Sequence, residues 1–289
     1  MIEVSSKHSY SLTIHTLELK LKSFTTSENS INSKELVYIG NEIKAMINKL
    51  ISGDRTSEME DQSISDFQTL LRAFELLSTT VETMVKSSNL NESIELANCI
   101  VEMTEFNVDG RTFFNTLCRE SQELSIIRVN TMLLRASTKI KLIDQQGHSF
   151  AHVLVEPLSE IEDTRNEIAV DFETSAKLAV AINQKWLVFN VGVAFWNAYL
   201  PVFRTEDQSK QIHGRILVLL KNLFLNLKQT ILIMEKSKII CYDSELSIQI
   251  FCNISLVYLK VLEKEGDKGK EMSKEVVDAL MQIKIPAKI

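Results

Sequence analysis

The residues in this sequence best able to do chemistry are few and scattered. His148 and His152 stand four apart. On a helix that spacing puts two imidazoles on one face, as zinc ligands can be. An HExxH metalloprotease motif needs Glu after the first histidine, and Ser149 stands there instead. Pro157 shortens any helix at this point, and no third ligand is nearby, so the pair is expected to flank a loop. Cys99, Cys118, Cys241 and Cys252 form no CxxC pair and fit neither a zinc knuckle nor a disulfide framework. Cys118 and Cys252 sit among apolar helical positions, where cysteine acts as a small hydrophobe. A nucleophile would need a base and an orienting group, which this spacing does not assemble. Glu58, Glu60 and Asp61 lack the Gly-centred loop of alternating oxygen ligands that calcium requires. Glu160, Glu162 and Asp163 open a helix, where negative charge suits the positive end of the dipole. The expectation is no catalytic residue, no metal ligand and no cofactor, in a protein that is not an enzyme.

The elements that would have to position such groups are helices. The chain has 289 residues with only eight Gly and three Pro, against usual shares of about 7% and 5%. Hairpins and phosphate loops consume both residues, and helices avoid them. That composition excludes a Rossmann fold, a P-loop NTPase and a β-barrel. The net charge is −6, with no basic stripe interleaved with aromatics, so nucleic acid is not an expected partner. No window offers 18 uncharged apolar residues, so no membrane span is expected. The opening MIEVSSKHSY lacks a basic stretch followed by an apolar one, so secretion is not expected. The cysteine usage suits a reducing, cytoplasmic setting.

Apolar residues recur at three- and four-residue intervals along most of the chain. Leu36, Ile39, Ile43, Met46, Ile47 and Leu50 line one face of a helix over 33–51. Phe67, Leu70, Phe74, Leu77, Val81 and Met84 do the same over 63–87. Further helices are expected over 10–24, over a shorter stretch capped by Asn91, and over 112–144, 159–183, 184–202, 206–236, 244–263 and 267–283. A break or kink is expected near Gly214. The fold class is therefore all-α, an α-solenoid of degenerate TPR-like helical hairpins with about nine to eleven helices. Hairpin starts at Ser63, Thr112, Ser159, Glu206 and Ser244 fall within the period range of helical-repeat arrays. No fixed tetratricopeptide pattern is shared between them. Residues 1–62 form N-terminal helices with a polar, acidic loop, and 63–289 form the repeat array.

The distinctive segment is KWLVFNVGVAFWNAYLPVFR, residues 185–204. Trp186, Phe189, Val193 and Trp196 share a helical stripe, with Asn190 and Asn197 beside it. Both tryptophans are expected to be buried, and the two amides to be hydrogen-bonded inside. Tyr199 and Leu200 extend the buried side. Gly192 would admit another helix at close range, and Pro201 is expected to end the regular helix. The plainest reading is a core helix, with a ligand pocket the less favoured one.

The stretch ETSAKLAVAINQKWLVFNVGVAFWNAYLPVFR, from Glu173, resembles a segment of the large helical-repeat proteins of the ciliary central apparatus. These are the cilia- and flagella-associated proteins 46 and 54, with the nearer likeness to the latter. The shared positions are Trp186, Val188, Asn190, Trp196, Asn197, Leu200 and Pro201. The resemblance covers about 30 residues strongly and the flanking helices only in style. It implies a scaffold segment of an axonemal projection that organises contacts needed for motility, in an array continuing beyond this chain. Its implied partners are other axonemal proteins and, indirectly, microtubules, and its implied place is the cytoskeleton of the cilium. A TPR-like adaptor of another cytosolic assembly is the alternative.

Overall fold

In a computed structural model the described residues are 3–26, 33–52, 60–105, 113–147, 150, 159–204, 214–236, 244–263 and 266–282. They form eleven helices: α1 (Glu3–Thr26), α2 (Ser33–Ser52), α3 (Glu60–Lys86), α4 (Leu90–Met103), α5 (Phe113–Glu120), α6 (Gln122–Gln145), α7 (Ser159–Ala181), α8 (Lys185–Arg204), α9 (Gly214–Lys236), α10 (Ser244–Leu262) and α11 (Asp267–Gln282). Among the described residues there is no strand. The all-α expectation stands, with the helix count at the top of its range.

The chain divides into two compact units, Met1–Leu142 and Ile143–Ile289. The division expected at residue 62 falls within α3, which packs on both α1 and α2. Within each unit a helix packs against its next neighbour and the one after: α2 on α3, α3 on α1, α4 and α5, then α7 on α8 and α9, and α10 on α8, α9 and α11. This is the nearest- and next-nearest-neighbour packing of a TPR-like helical solenoid.

Two of the turns are built alike. After α3, Ser88 takes the left-handed conformation at φ 64°, and after α7, Asn183 does so at φ 54°. In each turn two backbone amides close back on the helix: Ser88 to Val85 and Asn89 to Met84, Asn183 to Val180 and Gln184 to Ala179. That is the paired bonding of a Schellman motif. Asn89, rather than Asn91, stands at the start of α4. The long helix expected over 112–144 is two helices. Ser121 interrupts it, and its Oγ accepts the amide of Leu124 at 3.1 Å, as an N-cap does.

Once the helices are placed, a longer repeat emerges. The segments SIELANCI (93–100) and SIQIFCNI (247–254) occupy α4 and α10. From Glu92 to Thr104 the alternation of buried, half-buried and exposed positions is the same as from Leu246 to Tyr258. In α3 and α9, Leu70, Phe74, Leu77, Thr80 and Val81 correspond to Leu220, Phe224, Leu227, Thr230 and Ile231, all buried. Thr80 Oγ1 donates to the Leu76 carbonyl and Thr230 Oγ1 to the Asn226 carbonyl, each at 2.8 Å. In α2 and α8, Leu36, Ile39, Gly40, Ile43 and Ile47 correspond to Val188, Val191, Gly192, Phe195 and Tyr199. In α1 and α7, Glu18 and Lys22 correspond to Glu173 and Lys177. Glu18 meets Arg72 of α3, and Glu173 meets Asn222, the corresponding residue of α9. Helices α1–α4 and α7–α10 therefore carry one four-helix pattern twice.

Candidate functional site

Helix α8 carries the segment singled out from sequence, and its burial pattern differs from the expected one. Leu187, Val188, Val191, Phe195 and Tyr199 face the core, and Phe189 is buried beside them. Trp186 is 48% exposed, and its Nε1 donates to Gln184 Oε1 at 3.0 Å. Trp196 is half-buried, its ring 5.9 Å from that of Phe203. The expectation of two buried tryptophans therefore fails at Trp186 and holds only in part at Trp196. Asn190 and Asn197 are exposed, so neither amide bears the desolvation cost anticipated for it. The stripe that periodicity suggests lies one residue off, because an almost wholly apolar helix has too few polar residues to mark its outer face.

Pro201 does not end α8, which runs on to Arg204. The carbonyl that loses its donor to proline belongs to Asn197, four residues back and exposed, where solvent can satisfy it. Gly192 does what its size suggested. A Cβ there would lie 3.2 Å from Ile250 Cγ2 and 3.5 Å from Leu227 Cδ1, so α10 and α9 both press on it.

Around the inner face of α8 lies an aromatic cluster. Phe195 and Tyr199 have ring centroids 4.7 Å apart, and Phe172 of α7 meets Phe195 edge-on at 5.8 Å. Phe150 meets Tyr199 at 5.2 Å. Burial pushes the Tyr199 phenol far above its ordinary range, against the opposing pull of Arg165. Burial likewise lowers the Arg165 guanidinium, against Glu162. Such edge-on contacts add to the packing energy of a core.

A recess at the α7–α8 turn, lined by Ala179, Asn183, Gln184, Val188, Asn226 and Thr230, holds about 70 Å³. Ligand pockets run to about 300–1,000 Å³, so this one admits only a few waters. Among the described residues no group of three or more His, Cys, Asp or Glu could hold a metal ion. His148, His152 and Cys241 lie outside the described residues. Cys118 is buried and Cys252 half-buried, and desolvation raises the Cys252 thiol. No family model matches this chain, and no curated protein or solved structure does either.

The corresponding helix of the first unit shows what sets α8 apart. The exposed Lys34, Asn41, Glu42 and Asn48 and the half-buried Lys44 of α2 are replaced in α8 by the exposed Trp186 and the half-buried Val193, Ala194, Leu200 and Trp196. Along α4 and α10 the exposed Glu92 and Glu102 give way to Leu246 and Leu256. The signal for this contrast is in the sequence, but only at a spacing of about 150 residues, well beyond the 20–50 at which helical repeats are usually sought.

Proposed function

We propose that the protein is an interaction scaffold, a TPR-like adaptor that holds other proteins in register on its outer helix faces. The observation that carries this is the packing within each unit. Helices α1–α4 and α7–α10 are each secured by neighbours and next-nearest neighbours in their own unit, which leaves an outer face on each. Solenoids bind through such faces. Among the described residues, no helix is long and apolar enough to cross a membrane. The test is cross-linking mass spectrometry on the full chain at its natural level in cells. The expected result is links from lysines on exposed helix faces to at least two different proteins. A chain linked to no other protein would contradict the scaffold role.

The reading as a piece of a ciliary central-apparatus projection rests on the segment 173–204. Of its motif residues, Trp186, Asn190, Asn197 and Pro201 are exposed, Trp196 and Leu200 half-buried and Val188 buried; the exposed four suit side chains that meet partners. A tagged chain should then follow the axoneme in a ciliated cell, and its loss should loosen a projection and impair beating. Normal beating with an intact central apparatus would reject this address and leave the adaptor role standing.

A further inference from the structure

Lys44 of α2 and Cys99 of α4 meet across the first unit. Lys44 Nζ donates to Cys99 Sγ at 2.9 Å, although the residues are 55 apart in the chain. Both side chains are half-buried, so a small oxidant can reach them. We propose that Lys44 and Cys99 are an oxidation-sensitive pair that closes a covalent sulfur–nitrogen bond between α2 and α4 when the protein meets peroxide.

The backbone brings the two together. Gly40, one turn before Lys44, faces Leu96, one turn before Cys99. A Cβ on Gly40 would lie only 2.9 Å from Leu96 Cδ2. The missing side chain lets α4 approach α2 closely, and the rigid helices carry that approach one turn on to the Lys–Cys pair. Reacting atoms held within about 3–3.5 Å are in near-attack range, and this pair already is.

The second unit shows that the pair is not needed to hold the module together. Trp196 and Asn253 occupy the corresponding positions, and α8 still packs on α10. Lys44 and Cys99 are therefore a property of the first unit, added to a fold that forms without them.

The chemistry balances with one peroxide. Cys99 Sγ attacks hydrogen peroxide: an S–O bond forms, the O–O bond breaks, and water leaves, giving a sulfenic acid. A sulfenic acid condenses with nitrogen nucleophiles to a sulfenamide. Lys44 Nζ, having lost a proton, attacks Sγ: the S–N bond forms, the S–O bond breaks, and the hydroxyl departs with a second amine proton as water. The sum is one thiol, one ammonium and one peroxide giving a sulfenamide, two waters and one proton. Sulfur is oxidised by two electrons and the peroxide is reduced by two. The hydrogen bond with Cys99, with the nearby carboxylates Glu102 and Glu95, holds the Lys44 ammonium above its ordinary range.

The test is hydrogen peroxide treatment of the full chain, followed by intact mass and peptide mapping without reductant. The expected result is a peptide pair joined at Lys44 and Cys99, lighter by two hydrogens and released by dithiothreitol. Lys44→Arg should abolish the link and leave Cys99 as a sulfenic acid that a dimedone probe traps, and Cys99→Ser should abolish both products. Circular dichroism of both variants, unchanged from the parent, shows that the fold survives. Three outcomes overturn the proposal: Lys44 and Cys99 peptides that stay unlinked, dimedone trapping equal in the parent and Lys44→Arg, or a link that retains the peroxide oxygen.

Discussion

Helices α2 and α8 occupy the same place in two copies of one four-helix pattern, yet only their inner faces agree. Both give apolar side chains to the core at matching positions, and both carry a glycine where the helix two places on comes close. Outside, α2 exposes Lys34, Glu35, Glu42 and Lys49 beside Tyr38, whereas α8 exposes Trp186, Asn190, Asn197 and Pro201, with no charge among them. A residue required by the module should be conserved in kind between the copies. A residue that differs between them is free to serve something else. By that criterion the buried Phe74 and Phe224, Thr80 and Thr230, and Ser93 and Ser247 belong to the fold. Lys44, Cys99, Trp186, Leu246 and Leu256 do not.

The comparison is broken most severely at the shared core. Phe74→Ala and Phe224→Ala each remove a ring with no exposed surface. Each should cost about 3–5 kcal/mol, measured by urea unfolding of the full chain. A large loss in one unit and none in the other would show that the two cores are not equivalent.

The glycines should differ in size of effect. Alanine at Gly192 meets Ile250 Cγ2 at 3.2 Å. That methyl sits on a β-branched carbon and cannot rotate away, while Leu227 and Ile254 close in from the other sides. Overpacking of this kind costs about 1–3 kcal/mol, partly offset by the roughly 1 kcal/mol that alanine gains over glycine in a helix. Gly192→Ala should therefore destabilise by about 1 kcal/mol. At Gly40 the nearest atom is the far end of a flexible leucine, so Gly40→Ala should be close to neutral. Equal melting temperatures for the two variants would remove this distinction.

A smaller effect is expected at the α1–α3 contact. Arg72 Nε donates to Glu18 Oε1 at 2.7 Å, and that hydrogen bond leads the causes holding the Glu18 carboxyl below its ordinary value of 4.5. A depressed folded value means that the contact stabilises above pH 4.5 and is lost as pH falls through that lower value. Arg72 is exposed and Glu18 half-buried, so solvent screens the pair and the contribution is about 0.2–1 kcal/mol. Arg72→Ala should remove that much stability at pH 7 and little at pH 2. A loss that is the same at both pH values would contradict the ion pair.

The smallest effect is predicted for Trp186→Lys, which installs the residue found at Lys34. An exposed position should tolerate it within about 0.5 kcal/mol. A cost of several kcal/mol would return Trp186 to the core, where the apolar stripe had put it.

Most helices were legible because apolar spacing and a shortage of Gly and Pro leave few alternatives, and the inner face of α2 could be read residue by residue. Helix α8 was harder because almost every residue in it is apolar, so periodicity could not say which side faces out. The break at Ser121 was hidden because the hydrophobic pattern continues across it, and only the cap geometry reveals it. The duplicated module was invisible at the scale of one hairpin. Loops of different length shift the register between its helices, and few identities survive outside 93–100 and 247–254. The Lys44–Cys99 pair could not be seen from sequence, because nothing local to either residue places it opposite the other.

The equivalence of the two units is tested most directly by paired double-mutant cycles, Gly192→Ala with Ile250→Ala and Gly40→Ala with Leu96→Ala, read by chemical unfolding of the full chain. Truncating the partner empties the space that the new methyl enters. Gly192→Ala should then turn from destabilising to stabilising in the Ile250→Ala background, and Gly40→Ala should become more favourable in the Leu96→Ala background, giving couplings of the same sign. Additive effects in either unit would mean that its glycine does not seat the helix two places on, and would contradict the reading of α1–α4 and α7–α10 as one module used twice.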